Sequence, residues 1–157
     1  MADAAREQTL AAVAANLLSR INGASPYAYV LKGCHRDESS LGQNVALMPC
    51  VVMHTGTEEI DARTTAADHV MLPLTLVAYL ENDTAAAVET QLRNIESDLY
   101  RAMVSDDSQY HSGTVLWVDY GGVSEELGTE DLGIIGIAAE FKLHCAFSRS
   151  EPTSYAP

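Results

Sequence analysis

Apolar positions recur along this chain with two periods. Leu10, Val13, Ala14, Leu17, Leu18 and Ile21 return every three or four residues, which places them on one face of a helix. Asn22-Gly23 ends that helix and Pro26 blocks its continuation. Tyr27 to Lys32 is a short β-prone run. Pro49 to His54 reads as a second short strand. From His69 to Leu80 the pattern alternates: Val70, Leu72, Leu74, Leu76, Ala78 and Leu80 share one face, and Met71, Pro73, Thr75, Val77 and Tyr79 the other. Proline donates no ladder hydrogen bond, so Pro73 points to an edge or a bulge.

A second helix follows. Asn82, Asp83 and Thr84 are capping residues, and Ala85, Val88, Leu92, Ile95, Leu99 and Ala102 carry the stripe of an amphipathic helix through Met103. Asp106 to Gly113 reads as a turn. Thr114 to Tyr120 reads as a strand in which Val115, Trp117 and Asp119 oppose Leu116, Val118 and Tyr120, with Gly121-Gly122 ending it and Ser124 to Asp131 as an acidic connection. Leu132 to Phe147 alternates Ile135, Ile137, Ala139, Phe141, Leu143, Cys145 and Phe147 against Glu140, Lys142 and His144, the pattern of an antiparallel strand half exposed to water. The order helix, three strands, helix, two strands predicts an α+β fold: a single antiparallel or mixed β-sheet with two amphipathic helices packed on one face. Residues 1–147 form one domain in this reading. Residues 148–157, with two prolines and no periodicity, form a tail that frays or an arm that clasps a neighbour.

Two connections carry no apolar period. Gly33 to Met48 is long for a structureless connection, so it is functional or mobile. Thr55 to Ala67 is polar and reads as a loop.

Composition narrows the classes. The chain has 157 residues, 47 % of them apolar and 20 % charged, enough to build one core. With 9 Lys+Arg against 22 Asp+Glu its net charge is −13, which argues against a DNA-phosphate groove. Three cysteines argue against a secreted disulfide framework. No apolar run approaches the roughly 20 residues of a membrane span. The apolar stretch Leu10 to Leu18 lacks the basic flank of a secretory signal, so it is expected to be a helix of the mature chain, and the Asn82-Asp83-Thr84 sequon is discounted with it.

Candidate chemistry is thin. The nearest approach to a nucleophile elbow, Gly122-Val123-Ser124-Glu125-Glu126, lacks its closing glycine. Cys34 and His35 are adjacent, so in an extended chain they point apart. There is neither a C-x-x-C nor an H-E-x-x-H, and His54 with Glu58, Glu59 and Asp61 is a weak metal candidate beside its reading as loop charge. Cys50 and Cys145 fall in strands as small apolar residues. Gly128, Gly133 and Gly136 have no following lysine, so no phosphate loop is expected. No catalytic residue, metal or cofactor is therefore expected. The acidic groups Glu58, Glu59 and Asp61, then Asp106 and Asp107, then Glu125, Glu126, Glu130 and Asp131 read first as solvated loops. The alternative is that they crowd one end of the sheet into a negative surface that repels a polyanion.

The opening helix Leu10 to Ile21 running into Tyr27 to Lys32, the block Leu72-Pro73-Leu74-Thr75-Leu76-Val77-Ala78-Tyr79-Leu80 followed by Ala85 to Met103, and the closing pair Gly113 to Tyr120 and Gly133 to Phe147 together resemble the tail terminator (tail completion) proteins of long-tailed bacteriophages. The resemblance spans most of the chain and rests on pattern. It implies a structural virion protein of the tail or neck, assembled in the host cytoplasm. Such a protein forms a homo-oligomeric ring, a hexamer, that caps the tail tube, ends its growth and offers a surface for head joining. Its partners are the tail tube protein and a head-completion or connector protein; DNA passes through without specific binding, and no membrane is involved. The family has no catalytic residues to carry over. A ring needs joining surfaces, and the candidates here are Met71, Val77 and Tyr79, and Val115, Trp117 and Tyr120, each also readable as core. The acidic residues Glu58, Glu59, Asp61, Glu125, Glu126, Glu130 and Asp131 are the candidates for the lumen or loop surface. The Gly33 to Met48 connection departs from the family pattern. The alternatives are a head-to-tail connector or other neck component of the same virion, and a small ligand- or metal-binding module.

Overall fold

A computed structural model of the chain describes residues 2–36, 45–63, 67–104, 115–129 and 133–148. It has helix α1 (Ala2–Arg20), strand β1 (Gly33–His35), a 3-10 turn (Val45–Leu47), strands β2 (Cys50–Thr55), β3 (Glu59–Arg63) and β4 (Ala67–Glu81), helix α2 (Val88–Val104), and strands β5 (Val115–Thr129) and β6 (Ile134–Ser148). Among the described residues six strands form one sheet in the order β1-β2-β4-β6-β5, with β3 also pairing β4. β1 and β2 run parallel and every other pair is antiparallel, so the sheet is mixed and the fold is α+β. No helix among the described residues is long and apolar enough to cross a membrane.

Both helices cover one face of the sheet. Leu10, Val13, Leu17 and Ile21 of the first helical segment and Leu92, Ile95, Leu99 and Ala102 of α2 meet Leu72, Leu74, Leu76, Phe141 and Leu143 in one core cluster. Phe141 is the largest fully buried side chain among the described residues. Each such side chain contributes about 1.5–3 kcal/mol when taken from water.

Several local expectations are corrected. Tyr27 to Lys32 is not a strand. Its donors go elsewhere: the N–H groups of Ala28 and Tyr29 bond the carboxylate of Asp98, and those of Leu31 and Lys32 bond Ile21 and Pro49 carbonyls. The strand starts later, at Gly33, as β1 within the supposed long connection; residues 37–44 of that connection lie outside the described residues. The polar segment Thr55 to Ala67 contains β3. Helix α2 starts at Val88, not Ala85, because residues 82–87 form a turn held by the Gln91 side chain. Its amide donates to Asn82 Oδ1 and the Asp83 and Ala86 carbonyls, and accepts from Asp83 N–H. The expected turn at Asp106 to Gly113 lies outside the described residues, as do residues 149–157.

Pro73 stands in a central strand rather than on an edge. β2 pairs β4 through Leu74, and β3 pairs it only as far as Met71, so Pro73 faces the gap where one neighbour ends and the other begins. Its carbonyl accepts the Gly56 N–H at 2.9 Å there. Amide and carbonyl of one strand residue point to the same side, so the missing donor falls in the gap and the β6 ladder is untouched.

Gly121-Gly122 does not end β5. The strand runs through it with a register shift between Tyr120 and Gly122, and Gly122 has φ +93°. A residue without Cβ takes that conformation at least cost, so the pair makes a bulge instead of a stop. The supposed acidic connection from Ser124 to Thr129 is therefore strand, and β5 and β6 form one long hairpin.

Candidate assembly surface

The sheet face turned away from the helices has a clear grain. Cross-strand partners set it out in rows. Cys50, Tyr79, Gly136 and Leu127 make one row, Val52, Val77, Ala138 and Glu125 the next, and Glu59, Met71, His144 and Trp117 another further along. At the first end the 3-10 turn folds over the sheet, and Met48 packs with Cys50, Val52 and Ile134. At the other end Leu116 packs on Ala67 and Ala146. Between them Glu140 and Lys142 are exposed.

The six candidate joining residues separate on this surface. Met71 and Val77 lie on the outer face as expected but are 8 % and 7 % exposed, already buried within the protomer. Tyr79 is half-buried beside them. Trp117 is 49 % exposed. Val115 is 1 % exposed and Tyr120 packs on Phe141, so both belong to the helix-side core. The reason is a bulge between Val115 and Trp117, which advances the alternation by one residue. Val115, Val118 and Tyr120 thereby share the inner face, opposite Trp117 and Asp119.

Trp117 is held rigidly. Its ring stacks on His144 with centroids 4.3 Å apart and 15° between planes, and His144 Nε2 lies 2.9 Å from Asp119 Oδ2. Two strands thus fix one large apolar ring against solvent, and tryptophan is a residue enriched in the centres of protein interfaces.

Among the described residues the acidic candidates are spread over both faces of the sheet. Glu58 is paired with Arg6 of α1, Glu59 is exposed on β3, and the side chain of Asp61 is outside the described set. Glu125 is exposed on the outer face, while Glu126 faces the helix side and pairs with Arg93. Glu59 is opposite Met71, and Glu125 is in the Val77 row, six residues along β4, about 20 Å at the usual rise. Glu130 and Asp131, with Asp106 and Asp107, lie outside the described residues.

On the helix side a groove of about 390 Å³ is lined by Arg93, Glu96, Ser97, Tyr100, Arg101 and Tyr120. Arg93, Glu96 and Tyr120 are linked to one another and to neighbouring carboxylates. Arg93 pairs with Glu89, Glu96 and Glu126, and the Tyr120 hydroxyl donates to Glu96 at 2.6 Å. Burial, and then the Glu96 carboxylate, push the Tyr120 hydroxyl well above the ordinary phenol range. It holds its proton and serves as a strut from β5 to α2, not as a nucleophile.

The cysteines are free thiols on different strands, Cys34 and Cys145 toward the helices and Cys50 on the outer face. Burial pushes Cys34 and Cys145 up to about 12 and raises Cys50. Among the described residues no three His, Cys, Asp or Glu come together in a way that would hold a metal ion, and His54, Glu58 and Glu59 do not converge. Sequence reasoning missed the polar pair Gln91 and Asp98, both buried on α2. Their spacing was the available signal: 91, 95, 98 and 102 follow the helical repeat, so both polar residues lie along the apolar stripe.

No family model and no curated protein sequence matches the chain.

Proposed function

We infer that this chain is a structural protein that works by joining copies of itself into a ring at the end of a phage tail tube, as a tail terminator. The observation that carries the reading is the two-sidedness of the sheet. One face is covered by α1 and α2, and the other presents Trp117, stacked and half exposed, on the edge strand β5. A lone exposed leucine is ordinary, but a tryptophan clamped flat on a histidine at a sheet edge is a prepared contact. The resemblance of the α1, β4-α2 and β5-β6 segments to tail terminators supplies the partner: the end of the tube. The net charge of −13 agrees with a ring that lets DNA pass without holding it.

The test is assembly on purified tail tubes, read by electron microscopy. The expected result is a ring at one tube end and an arrest of tube growth when the protein is added to a polymerising tube mixture. Binding to a portal or adaptor assembly in preference to the tube would instead assign the chain to the connector side of the neck. A protein that ignores both would remove the reading.

A further inference from the structure

The outer face carries a knob and a socket, and they are far apart. The knob is Trp117. The socket is a depression of about 270 Å³ lined by Tyr79, Leu127, Gly128, Ile134, Ile135 and Gly136. It exists because Gly136 has no side chain: a Cβ there would lie 2.9 Å from the Ala78 carbonyl oxygen and 3.4 Å from the Tyr79 ring. The volume lies just under the roughly 300–1,000 Å³ of small-ligand clefts and is the scale of one aromatic side chain. Its lining is apolar apart from the Tyr79 side chain.

Trp117 is opposite His144 and the socket is centred on Gly136, eight residues along β6, roughly 26 Å at the usual rise. Both lie on the paired strands β5 and β6, so Trp117 cannot reach the socket of its own chain. Charged side chains flank both ends. Lys142 is exposed next to the knob, and Glu81 and Glu125 are exposed next to the socket; none of the three has an ion pair among the described residues. The remaining acidic groups on this face among the described residues are Glu59, in the row of Trp117, Asp119, which bonds His144 and stands opposite Lys142, and Glu140 between the two ends.

We propose that Trp117 of one copy docks in the Tyr79–Leu127–Gly136 socket of the next, with Lys142 facing the partner's Glu81 and Glu125. The contact joins two different patches, so it is head-to-tail, and repetition closes a ring or extends a filament. It deepens the ring reading above, on which it rests, by naming the joining surfaces.

The test uses complementary variants of the full chain, checked for native circular dichroism. Trp117→Ala keeps the socket and Leu127→Glu keeps the knob. In sedimentation velocity across concentrations the wild type assembles and each variant alone stays monomeric. An equimolar mixture forms heterodimers and nothing larger, because the second knob and second socket are spoiled. The chain has one tryptophan, so in that mixture all tryptophan emission comes from the Leu127→Glu partner, and it shifts to the blue on docking. A charge exchange provides a second arm less exposed to folding effects. Lys142→Glu and Glu125→Lys each weaken association by about 3- to 10-fold, and the double variant recovers it. A mixture that stays monomeric, a single variant that assembles like the wild type, or a wild type that is monomeric throughout would overturn the proposal. The tube assay separates it from the broader reading. If Trp117→Ala caps tubes as the wild type does, this contact fails and the ring reading stands. If complementary variants pair but the wild type caps no tubes, the contact stands and the reading fails.

Discussion

The carboxylate of Asp98, fully buried on α2, accepts the backbone N–H of Tyr29 at 2.9 Å and that of Ala28 at 3.0 Å. A side chain thus takes the place of a neighbouring strand. It fixes the segment between α1 and β1 to the helix layer, which sets where β1 enters beside β2. Asp98→Ala leaves two backbone donors without this acceptor and is expected to cost about 1–3 kcal/mol in chemical denaturation. Asp98→Asn retains an oxygen able to accept both bonds and is expected to lie within about 1 kcal/mol of the wild type.

The same pair of variants gives a pH signature. Burial raises the Asp98 pKa, opposed by the Ala28 and Tyr29 amides and by Arg101. Its folded value therefore lies above the ordinary 3.8, and the folded chain binds the proton more tightly. Its favourable contribution is complete below 3.8 and is lost as pH rises through the folded value. Measured by denaturation at a series of pH values, Asp98→Asn gains on the wild type as pH climbs through that window. A constant difference would refute the assignment.

Gly122 tests the reading of β5 as one bent strand. At φ +93° a side chain strains the backbone although no atom lies within 4 Å of its Cβ position. Gly122→Ala is expected to lose about 1–2 kcal/mol by this strain alone. A neutral result in a denaturation curve would mean that the strand passes Gly122 without the bulge.

The elements that could be read from sequence were those with long, single-period patterns. β4, β6 and α2 bury one face over many residues, so their faces follow from alternation or from the helical repeat. β3 is not legible because Glu59 to Arg63 is an edge segment in which three charged residues alternate with Ile60 and Ala62, both exposed, leaving no buried stripe. β5 was cut short because its bulges break the period, and a Gly-Gly pair marks a bulge as readily as a stop. That same phase change separates Val115 from Trp117, with which simple alternation groups it, while Tyr120 falls opposite Trp117 as alternation has it. Tyr27 to Lys32 has strand composition, but its hydrogen bonds depend on Asp98, some seventy residues away, which no local pattern contains. The socket was equally hidden, since it needs three strands in register before Gly136 has a neighbour to make room for.

Gly136 places a packing limit on β6. A Cβ would meet backbone, the Ala78 carbonyl at 2.9 Å, so the β4-β6 ladder must shift to admit it. Gly136→Ala is expected to cost about 1–3 kcal/mol in thermal or chemical denaturation. Gly128→Ala, on the same hairpin with open space around its Cβ position, is the control and is expected to cost less. Equal losses would show that backbone freedom, not the Ala78 contact, governs this hairpin.

The thiols report on the integrity of the sheet. Only the thiolate reacts readily with a disulfide reagent or an alkylating agent, so a buried thiol with a raised pKa is slow for two reasons, low ionisation and poor access. Cys34 and Cys145 are held near 12, and Cys50 is both raised and fully buried. At pH 8 the native chain is expected to label slowly at all three cysteines, and the denatured chain quickly at all three. Cys34 lies on the three-residue β1, which among the described residues joins the sheet through β2 alone, so partial loosening reaches it before Cys145 in the β4-β6-β5 centre. Mass spectrometry of labelled peptides at rising denaturant should therefore find Cys34 first and Cys145 last. Early labelling of Cys145 would mean that the long hairpin, rather than the β1 edge, is the part that opens.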